Sequence, residues 1–326
     1  MNILIVNNTI IPAPKYGGTE RVIWWLGKEL VKLGHKVTYL VAQGSTCPFA
    51  KVIFYNAAVS LNKQIPTEID VVHLNCGTNE LPIKPFIYTM HGNVNMQSQF
   101  DKNTVFVSKN HAARFGSNIY VHNGLDPDDY GKPNFTNKKN YIHFLGDAAW
   151  RVKNVKGAIH IASKAKIPLK VLGGVRFNFN QGIRLTFNSN TQFYGMVGGS
   201  LKNNLLSQSK GMLFPILWNE PFGIAITESL YFGCPIFATP YGSLPEIVNS
   251  EVGFLSNKSV ELAEAIKNIG KYNPQHCHQY AMEYFASTKM ASSYLNLYEK
   301  VLNGNTLNET NPCLIEVQRE KFLAFE

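Results

Sequence analysis

The sequence predicts an α/β protein of two domains, each with a mostly parallel sheet covered by helices. Three observations lead to this fold class. The length of 326 residues suits two domains of about 150 residues each. Short apolar runs alternate with amphipathic segments, as βαβ units require. A turn-rich stretch without aliphatic clusters, residues 126–140, interrupts this alternation and indicates a linker between the domains.

Composition excludes several classes of protein. A hydrophobic share of 45% can build two cores, and a charged share of 16% is low for a disordered chain. No apolar run approaches the roughly 18–20 residues of a membrane-spanning helix. The five cysteines are scattered and form no CxxC pair, so neither a disulfide framework nor a zinc site is expected. An apolar run follows Met1 directly, without a basic leader, and we therefore expect a cytoplasmic protein.

The net charge of +9 is concentrated in one region. Residues 1–137 contain 12 Lys/Arg and 9 Asp/Glu, whereas residues 138–326 contain 19 and 13. Nine basic residues lie within 138–176, where Asp147 is the single acidic residue. No aromatic platform or recognition-helix motif accompanies this charge, so nucleic acid is not expected as a partner. A site for a phosphorylated ligand fits better, with an anionic membrane surface as a second contributor.

The first domain is expected over residues 1–137. Its strand candidates are residues 3–6, 37–41, 52–55, 71–74, 86–89 and 105–107. Its clearest helix is predicted over residues 18–33, where Val22, Leu26 and Leu30 recur at helical spacing. Gly34 then stands where a helix-terminating glycine is expected.

The second domain is expected over residues 138–287. Strands are predicted at 141–145, 169–172, 192–194, 212–215 and 236–238, and helices at 154–165, 200–208 and 223–232. Residues 258–302 have a helical pattern. The tail, residues 303–326, begins rich in asparagine and has little pattern, so we expect it to be poorly ordered.

Two segments combine a strand, a glycine turn and a helix start. Gly17-Gly18 precedes the first helix, where paired glycines allow a ligand close to the backbone and the amides can bind an anion. Glu220 lies in the loop before a helix that begins near Gly223, and Glu228 lies eight positions later, about a turn and a half into that helix. The sequence thus offers an acceptor, several amide donors and a second acceptor. A sugar nucleotide has hydroxyls, a diphosphate and further hydroxyls in that order.

Two metal-like motifs are interpreted otherwise. Asp126-Pro127-Asp128 has the D-x-D spacing of some metal sites, but its place in a proline-rich linker favours a turn. Residues 276–278, His-Cys-His, are adjacent on a predicted helix and diverge, so they do not converge on one ion. We predict no metal requirement and no cofactor.

These segments resemble the retaining nucleotide-sugar glycosyltransferases of family 4, which have the GT-B fold of two Rossmann-like domains facing across a cleft. The resemblance covers about residues 1–302. In the first domain it comprises residues 17–21 (GGTER), 89–92 (TMHG), 107–108 (VS) and 123–126 (NGLD). In the second domain it comprises residues 220–228, 233–236 (GCPI) and 244–248 (LPEIV). Glu220 to Glu228 matches the E-x7-E signature of the family and is the most specific of these motifs.

The resemblance assigns roles to individual residues. Glu220 would bind hydroxyls of the transferred sugar, Glu228 would bind the ribose, and His91 would face the sugar near its anomeric carbon. The diphosphate would be held by backbone amides of Gly17, Gly18, Phe222, Gly223 and Ile224. The base would contact the backbone of Tyr194, Met196 and Val197. The helix over residues 288–302 would cross back to the first domain.

The basic pair of the family motif is displaced in this chain. The family has Arg or Lys directly after the first glycine of the second domain, with Lys-Gly five residues beyond. Here Gly146 is followed by Asp147, and Arg151 and Lys156-Gly157 come four residues later than expected. Two cations would stabilise charge on the leaving diphosphate. We assign this role to Lys156 and Arg151, which Lys153 could replace.

The expected function is transfer of a hexosyl group from a UDP- or GDP-linked sugar to a hydroxyl of a glycan or lipid-linked acceptor. The resemblance implies retention at the anomeric carbon and a metal-independent reaction. It suggests surface polysaccharide or lipopolysaccharide assembly at the inner face of the cytoplasmic membrane. Two alternatives remain open, namely a sugar-nucleotide epimerase of the same fold and a catalytically inactive sugar-nucleotide-binding subunit of a glycan-assembly complex.

Overall fold

A computed structural model describes residues 1–13, 17–315 and 317–326. The chain divides into two compact units. Unit 1 comprises Met1–Asp126 and Ala286–Gln318, and unit 2 comprises Pro127–Phe285 and Arg319–Glu326. In the described part of the chain, none of the helices has the length and hydropathy that a membrane crossing requires.

Strands and helices alternate along both units. The strands are β1 Asn2–Val6, β2 Lys36–Val41, β3 Lys51–Phe54, β4 Val71–Leu74, β5 Phe86–Met90, β6 Thr104–Phe106, β7 Ile142–Leu145, β8 Leu169–Leu172, β9 Phe177–Asn178, β10 Arg184–Leu185, β11 Thr191–Phe193, β12 Met212–Phe214, β13 Ile236–Ala238 and β14 Gly253–Leu255. The helices are α1 Gly18–Lys32, α2 Leu61–Gln64, α3 Lys109–Arg114, α4 Val155–Lys164, α5 Gly199–Ser207, α6 Ile224–Tyr231, α7 Leu244–Ile247, α8 Ser259–Lys267, α9 Pro274–Phe285 and α10 Ser287–Leu302.

Unit 1 is built on a parallel sheet of order β3-β2-β1-β4-β5-β6. This is the order of a Rossmann-type domain, in which the strand sequence reverses next to the first strand. β4 is buried along its whole length, as a strand covered on both faces must be. Helix α1 packs Trp25, Leu26 and Leu30 inward. It ends before Gly34, whose φ of +84° confirms the expected terminating glycine.

Unit 2 repeats the same topology. Its sheet has the order β11-β8-β7-β12-β13-β14, again parallel, and the order reverses between β7 and β12. The connection from β8 to β11 carries an antiparallel pair, β9 with β10. The sequence analysis placed no element between residues 172 and 192, because strands of two residues give no readable period.

The boundary between the units falls after Asp126 and not after residue 137 as expected. Residues of the turn-rich stretch are anchored on unit 2. Tyr130 is buried, and its hydroxyl donates to Glu228 Oε1 at 2.9 Å. The hydroxyl of Tyr231 donates to the carbonyl of Gly131 at 2.7 Å. A composition break therefore located the region of the boundary but not its position.

The C-terminal segment contributes to both units. Helix α10 packs against α1 and β5 of unit 1, where the Tyr294 hydroxyl lies 3.0 Å from Thr89 Oγ1. The expectation of a poorly ordered tail is wrong for residues 303–315, because Leu307 and Leu314 are buried in unit 1. Further along, residues 319–326 belong to unit 2, and the amide of Leu323 donates to the carbonyl of Leu217 at 2.9 Å.

Candidate functional site

Candidate site residues follow the carboxyl ends of strands at or next to the order reversal in each sheet. In unit 1, Gly17 follows β1, Asn75 follows β4 and His91 follows β5. In unit 2, Lys153 follows β7 and Glu220 follows β12. Open parallel sheets bind ligands beyond the carboxyl ends of their strands at such a reversal. Each unit therefore presents its polar residues at the edge where a ligand is expected.

His91 is held as a neutral imidazole. Its Nε2 lies 2.8 Å from Asn75 Oδ1, and Asn75 Nδ2 donates to the carbonyl of His73 at 3.2 Å. Because an amide oxygen only accepts, Nε2 carries the proton and Nδ1 keeps its lone pair. Burial lowers the pKa of His91 to about 4. The ring can therefore accept a hydrogen bond at neutral pH without becoming charged.

The glycine pair of unit 1 stands at the start of α1. Gly17 has a φ of +152°, and a Cβ added there would lie 2.7 Å from Glu20 Oε2. Among the described residues, no side chain caps the helix start. The part of this loop formed by residues 14–16 lies outside the described residues. The assignment of Gly17 and Gly18 to the diphosphate stays a prediction.

The centre of the unit 2 site is a buried ion pair. Lys153 Nζ lies 2.5 Å from Glu220 Oε2, and both side chains are at least nine-tenths buried. Trp218 Nε1 donates to the same carboxylate oxygen at 2.9 Å. The ammonium group also lies over the rings of Trp218 and Phe214, at 4.9 Å and 5.1 Å from their centroids. A buried pair of this kind is weak support for stability, so we interpret it as a functional arrangement.

Local backbone geometry places Lys153 at this position. The next residue, Asn154, adopts a left-handed φ of 54° and caps α4, with its Oδ1 accepting from the amide of Gly157 at 3.0 Å. Asn154 Nδ2 donates to the carbonyl of Pro215, just after β12, at 2.9 Å. The cap therefore ties the loop after β7 to the loop after β12. This link brings Lys153 to Glu220 although they are 67 positions apart.

A second loop fixes the backbone of Glu220. A Cβ added to Gly242 would lie 2.3 Å from both the amide nitrogen and the carbonyl oxygen of Glu220. The amide of Ser243 donates to the Glu220 carbonyl at 2.9 Å, and its hydroxyl donates to the Phe222 carbonyl at 2.7 Å. Gly242 is therefore required for two reasons. A side chain would prevent the close approach to the Glu220 backbone, and the φ of +63° favours glycine.

Glu228 forms a second buried cluster on α6. Its side chain pairs with Lys202 on α5, and its Oε1 accepts from the Tyr130 hydroxyl at 2.9 Å. All three residues are buried. The cluster holds the carboxylate in one orientation on the helix that follows Glu220.

The start of α6 lies between the two carboxylates. Gly223 has a φ of +85°, and no side chain among the described residues caps this helix start. The amides at Phe222, Gly223 and Ile224 therefore lie at a helix N-terminus, where the positive end of the helix dipole favours an anion. The predicted order of acceptor, amide donors and acceptor is present within one continuous segment.

The residues predicted to meet the base lie after β11. The amide of Tyr194 donates to the carbonyl of Val171 at 3.0 Å, which extends the sheet by one residue. Met196 is 39% exposed and Val197 is partly exposed. These residues share the carboxyl edge of the sheet with Lys153 and Glu220. Their role stays a prediction.

Arg151 and Lys156 are not brought together with Glu220. Both side chains are exposed, and they line a cavity of about 340 Å³ whose lining does not include Glu220 or Glu228. The structure brings Lys153 to the carboxylate instead. The assignment of Arg151 and Lys156 to the diphosphate stays a prediction without a contact to support it.

Three partners of the Glu220 and Glu228 carboxylates were not predicted from the sequence, namely Tyr130, Lys202 and Trp218. Tyr130 lies in the stretch interpreted as a linker, and Lys202 is an ordinary lysine in a polar helix. One signal was available for Lys202, since residues 148–219 contain no Asp or Glu with which it could pair locally. That observation does not identify the distant partner.

The metal-like motifs have structural partners. Asp126 is buried and pairs with Lys28 at 2.5 Å. His278 Nδ1 lies 2.6 Å from the carbonyl of Tyr231, whereas His276 faces Glu251 at 3.1 Å. Among residues 1–13, 17–315 and 317–326, no three His, Cys, Asp or Glu side chains group as metal ligands. The absence of a metal requirement stays a prediction.

Comparison with known proteins shows what the chain is similar to. Residues 127–283 match the family model described as glycosyl transferases group 1. A protein of Klebsiella pneumoniae, described as an uncharacterized 41.2 kDa protein in a cps region, is 26% identical over 149 residues. This match covers 43% of the chain and 40% of the relative, so the chain spans less than half the length of that protein.

Solved structures share the architecture over nearly the whole chain. AviGT4, a glycosyltransferase involved in avilamycin A biosynthesis, has a TM-score of 0.79 at 21% identity and covers 94% of this chain and 99% of its own. Sucrose-phosphate synthase from Thermosynechococcus elongatus has a TM-score of 0.71 at 14% identity, covering 93% and 100%. Anabaena HepE, solved in complex with UDP-glucose, has a TM-score of 0.63 at 15% identity, covering 92% and 99%.

These findings confirm the predicted fold class. The chain is an α/β protein with two sheets of parallel strands, and it shares the fold of GT-B glycosyltransferases. Residues 127–283, which contain Lys153, Lys202, Glu220 and Glu228, match the glycosyl transferases group 1 family model. This match and the shared fold together support a glycosyltransferase.

Proposed function

We propose that this protein is a retaining glycosyltransferase of family 4 that moves a hexosyl group from a nucleoside-diphosphate sugar to a hydroxyl of a glycan or lipid-linked acceptor. One observation carries the proposal. The buried Lys153–Glu220 pair lies next to the uncapped start of α6, and the buried Glu228 follows on the same helix. In the reaction the acceptor oxygen bonds to the anomeric carbon as the bond from that carbon to the diphosphate oxygen breaks, and the proton of the acceptor hydroxyl passes to the departing diphosphate oxygen.

The donor is expected to bind along the segment from Glu220 to Glu228. The diphosphate faces the amides at the start of α6, where the helix dipole favours negative charge. Glu220 accepts from hydroxyls of the transferred sugar. Glu228, held by Lys202 and Tyr130, accepts from the ribose. This order follows the chain direction and requires no rearrangement of the backbone.

Lys153 is our candidate for stabilising the leaving diphosphate. In the structure its ammonium group donates a hydrogen bond to the Glu220 carboxylate. When a donor is bound, the ammonium group can pair with a β-phosphate oxygen instead, while Glu220 accepts a hydrogen bond from a sugar hydroxyl. After the exchange the ammonium group is paired with the phosphate, and the Glu220 carboxylate accepts hydrogen bonds from the sugar and from Trp218 Nε1, so neither buried group is left without a partner. Charge that develops on the diphosphate as the sugar departs then meets a cation that is already in place.

His91 is the candidate in unit 1. On the resemblance we place it at the transferred sugar, where the neutral ring accepts a hydrogen bond from a hydroxyl through Nδ1. Gly17 and Gly18 remain candidates for the diphosphate on the same ground. We propose no metal or cofactor in any of these steps.

The relatives favour a nucleotide sugar as donor and polysaccharide assembly as setting. HepE was solved with UDP-glucose, so a UDP-linked sugar is the first donor to test, with GDP-linked sugars second. The Klebsiella relative is described by its place in a cps region, which supports a role in polysaccharide synthesis. We propose that the protein works in the cytoplasm, in contact with an anionic membrane surface.

The direct test is donor turnover. Purified protein is mixed with UDP- and GDP-linked sugars and glycolipid extracts, and release of nucleoside diphosphate is measured. Glu220→Gln is expected to lower turnover at least about 100-fold while donor binding changes much less, because the carboxylate contacts the sugar. Nuclear magnetic resonance of the product would report the anomeric configuration, and an inverted product would contradict the retaining assignment.

A second candidate function is an inactive sugar-nucleotide-binding subunit. Asp147 favours it, since an acidic residue follows Gly146 where the resemblance expects a cation. Donor binding without release of nucleotide in any acceptor extract would support this alternative. An epimerase of the same fold would instead release nucleotide or convert the sugar without any acceptor.

A further inference from the structure

One surface segment of unit 2 has an unusual arrangement of polar and apolar side chains. Residues 175–187, which contain β9 and β10, expose apolar side chains and bury polar ones. The outward side chains, all at odd positions, are Val175, Phe177, Phe179, Ile183, Leu185 and Phe187. Their exposed fractions run from 47% for Phe177 to 80% for Phe187. A ribbon on the surface of a domain surrounded by water is expected to alternate the other way.

Polar side chains on the inner face hold the hairpin in this orientation. Arg184 is buried, and its guanidinium group donates to the Val175 carbonyl at 2.8 Å and to Thr186 Oγ1 at 2.9 Å. Asn178, also buried, donates to the Gly182 carbonyl at 3.0 Å. The outward apolar face is therefore fixed by specific hydrogen bonds on the opposite face.

Three of the outward side chains, Phe177, Leu185 and Phe187, are neighbours on this face. Phe177 and Leu185 are direct cross-strand partners. The rings of Phe177 and Phe187 lie 5.8 Å apart. Contiguous exposed apolar patches of this kind mark interaction surfaces on soluble domains.

The stretch of sequence that contains the hairpin has charged residues of one sign only. Residues 148–219 contain ten Lys and Arg and no Asp or Glu. The cavity of about 340 Å³ lies at the hairpin turn, with Gly182 and Ile183 on one wall and the exposed Arg151 and Lys156 on another. Among the described residues, no carboxylate is part of its lining. Arg184 also lines it, and the buried Nε of Arg184 has no hydrogen-bond partner among the described residues.

We propose that residues 175–187 dock unit 2 on an anionic lipid bilayer. The outward side chains enter the interfacial region, and Arg151 and Lys156 bind lipid phosphates at the hairpin turn. An apolar face rich in phenylalanine beside cations matches the chemistry of the bilayer interface. A second copy of this chain would bring the same positive charge to the contact. The inference rests on the proposed membrane contact and does not depend on the transferase reaction.

The test is co-sedimentation of the full chain with lipid vesicles. Wild type is expected to bind phosphatidylcholine vesicles that contain phosphatidylglycerol and to bind pure phosphatidylcholine weakly. Phe179→Ser/Phe187→Ser should weaken binding about tenfold or more, since two large apolar side chains leave the interface. The matched control Val260→Ser/Tyr284→Ser removes two exposed apolar side chains elsewhere in unit 2 and should bind as wild type does.

A second pair of variants tests the charge. Arg151→Gln/Lys156→Gln should weaken binding to the anionic vesicles about 30-fold, because each basic residue near the surface contributes about 1 kcal/mol. Lys164→Gln/Lys166→Gln removes the same charge at the other end of α4 and should have a smaller effect. Each altered side chain is exposed, so folding is expected to persist and is checked by thermal melting.

Three results would overturn the proposal. The first is equal vesicle binding by wild type and Phe179→Ser/Phe187→Ser. The second is equal binding of wild type to neutral and anionic vesicles. The third is a wild-type dimer that becomes a monomer in Phe179→Ser/Phe187→Ser by light scattering, because a second copy would then cover the hairpin. Donor binding should be the same in wild type and Phe179→Ser/Phe187→Ser, whose altered side chains lie outside the proposed donor site. A chain that binds vesicles but never turns over a donor would refute the transferase and leave the docking site standing.

Discussion

At the scale of single residues, the site depends on which cation meets Glu220. The resemblance pointed to Lys156 and Arg151, because the Lys156-Gly157 pair preserves a motif. The structure instead buries Lys153 against Glu220 and leaves Lys156 exposed. Sequence could not decide this, since the choice depends on the left-handed cap at Asn154 and its bond to Pro215.

Replacing Lys153 is expected to affect activity and stability together. Lys153→Met should lower kcat/KM at least about 100-fold, because a preorganised charge at the leaving group is lost. It should also cost about 3–5 kcal/mol in free energy of unfolding, because Glu220 becomes a buried charge without its cation. Steady-state kinetics and urea unfolding measure the two effects.

Two further variants separate these effects. Lys153→Met/Glu220→Gln should recover much of the stability but none of the activity, since no buried charge remains unpaired. Lys156→Met should retain kcat/KM within about tenfold and stability within about 0.5 kcal/mol, as expected for an exposed side chain. A larger loss of kcat/KM in Lys156→Met than in Lys153→Met would show that Lys156, and not Lys153, binds the diphosphate.

At the scale of elements, the sequence predicted the regular parts well. The apolar runs located β1, β4, β8 and β13 within a residue, since buried parallel strands show as continuous apolar segments. Prediction from the sequence failed where tertiary contacts, and not local periodicity, determine the structure. The hairpin β9–β10 has strands of two residues with reversed polarity. The tail is ordered by contacts such as Asn308 Nδ2 to the Thr104 carbonyl at 2.9 Å, which join distant positions.

The loop at Gly242 provides a prediction at this scale. Gly242→Ala should reduce both stability and kcat/KM. The added Cβ would lie 2.3 Å from backbone atoms of Glu220 and would therefore displace that backbone. We expect a loss of about 2–4 kcal/mol from the positive φ and the steric clash together. Gly34→Ala is the control, with a φ of +84° and nothing within 4 Å of the added Cβ. It should cost about 1 kcal/mol and leave kcat/KM unchanged. Equal effects of the two variants would show that the loop does not position Glu220.

At the scale of the whole molecule, each unit contains buried neutral histidines. Burial lowers the pKa of His73 and His111 in unit 1, and of His143 in unit 2, to about 3. In the unfolded chain these groups titrate near the ordinary histidine value of about 6.5. Between these pKa values the unfolded state binds more protons than the folded state. The stability contribution is therefore complete above pH 6.5 and is lost as the pH falls toward 3.

This linkage predicts acid-sensitive unfolding in the mildly acidic range. Each such histidine should lower the free energy of unfolding by about 1.4 kcal/mol between pH 7.5 and 5.5. His143→Asn should reduce the pH dependence of urea unfolding of unit 2, although it lowers stability at pH 7.5 by breaking bonds to Ser209 and Ser229. His160→Asn, on an exposed position of α4, should leave both unchanged. An unaltered pH slope in His143→Asn would contradict this account.

The central claim is that the segment from Glu220 to Glu228 binds a nucleotide sugar. The most direct measurement is a thermal-shift panel of UDP, GDP, ADP and CMP with their common sugar conjugates, on wild type and Glu228→Gln. A ligand at about 100 times its Kd adds about 2.7 kcal/mol, which raises Tm by several degrees. We predict that one nucleotide family stabilises wild type and loses most of its effect in Glu228→Gln. Equal shifts in both proteins, or no shift with any nucleotide, would contradict the claim.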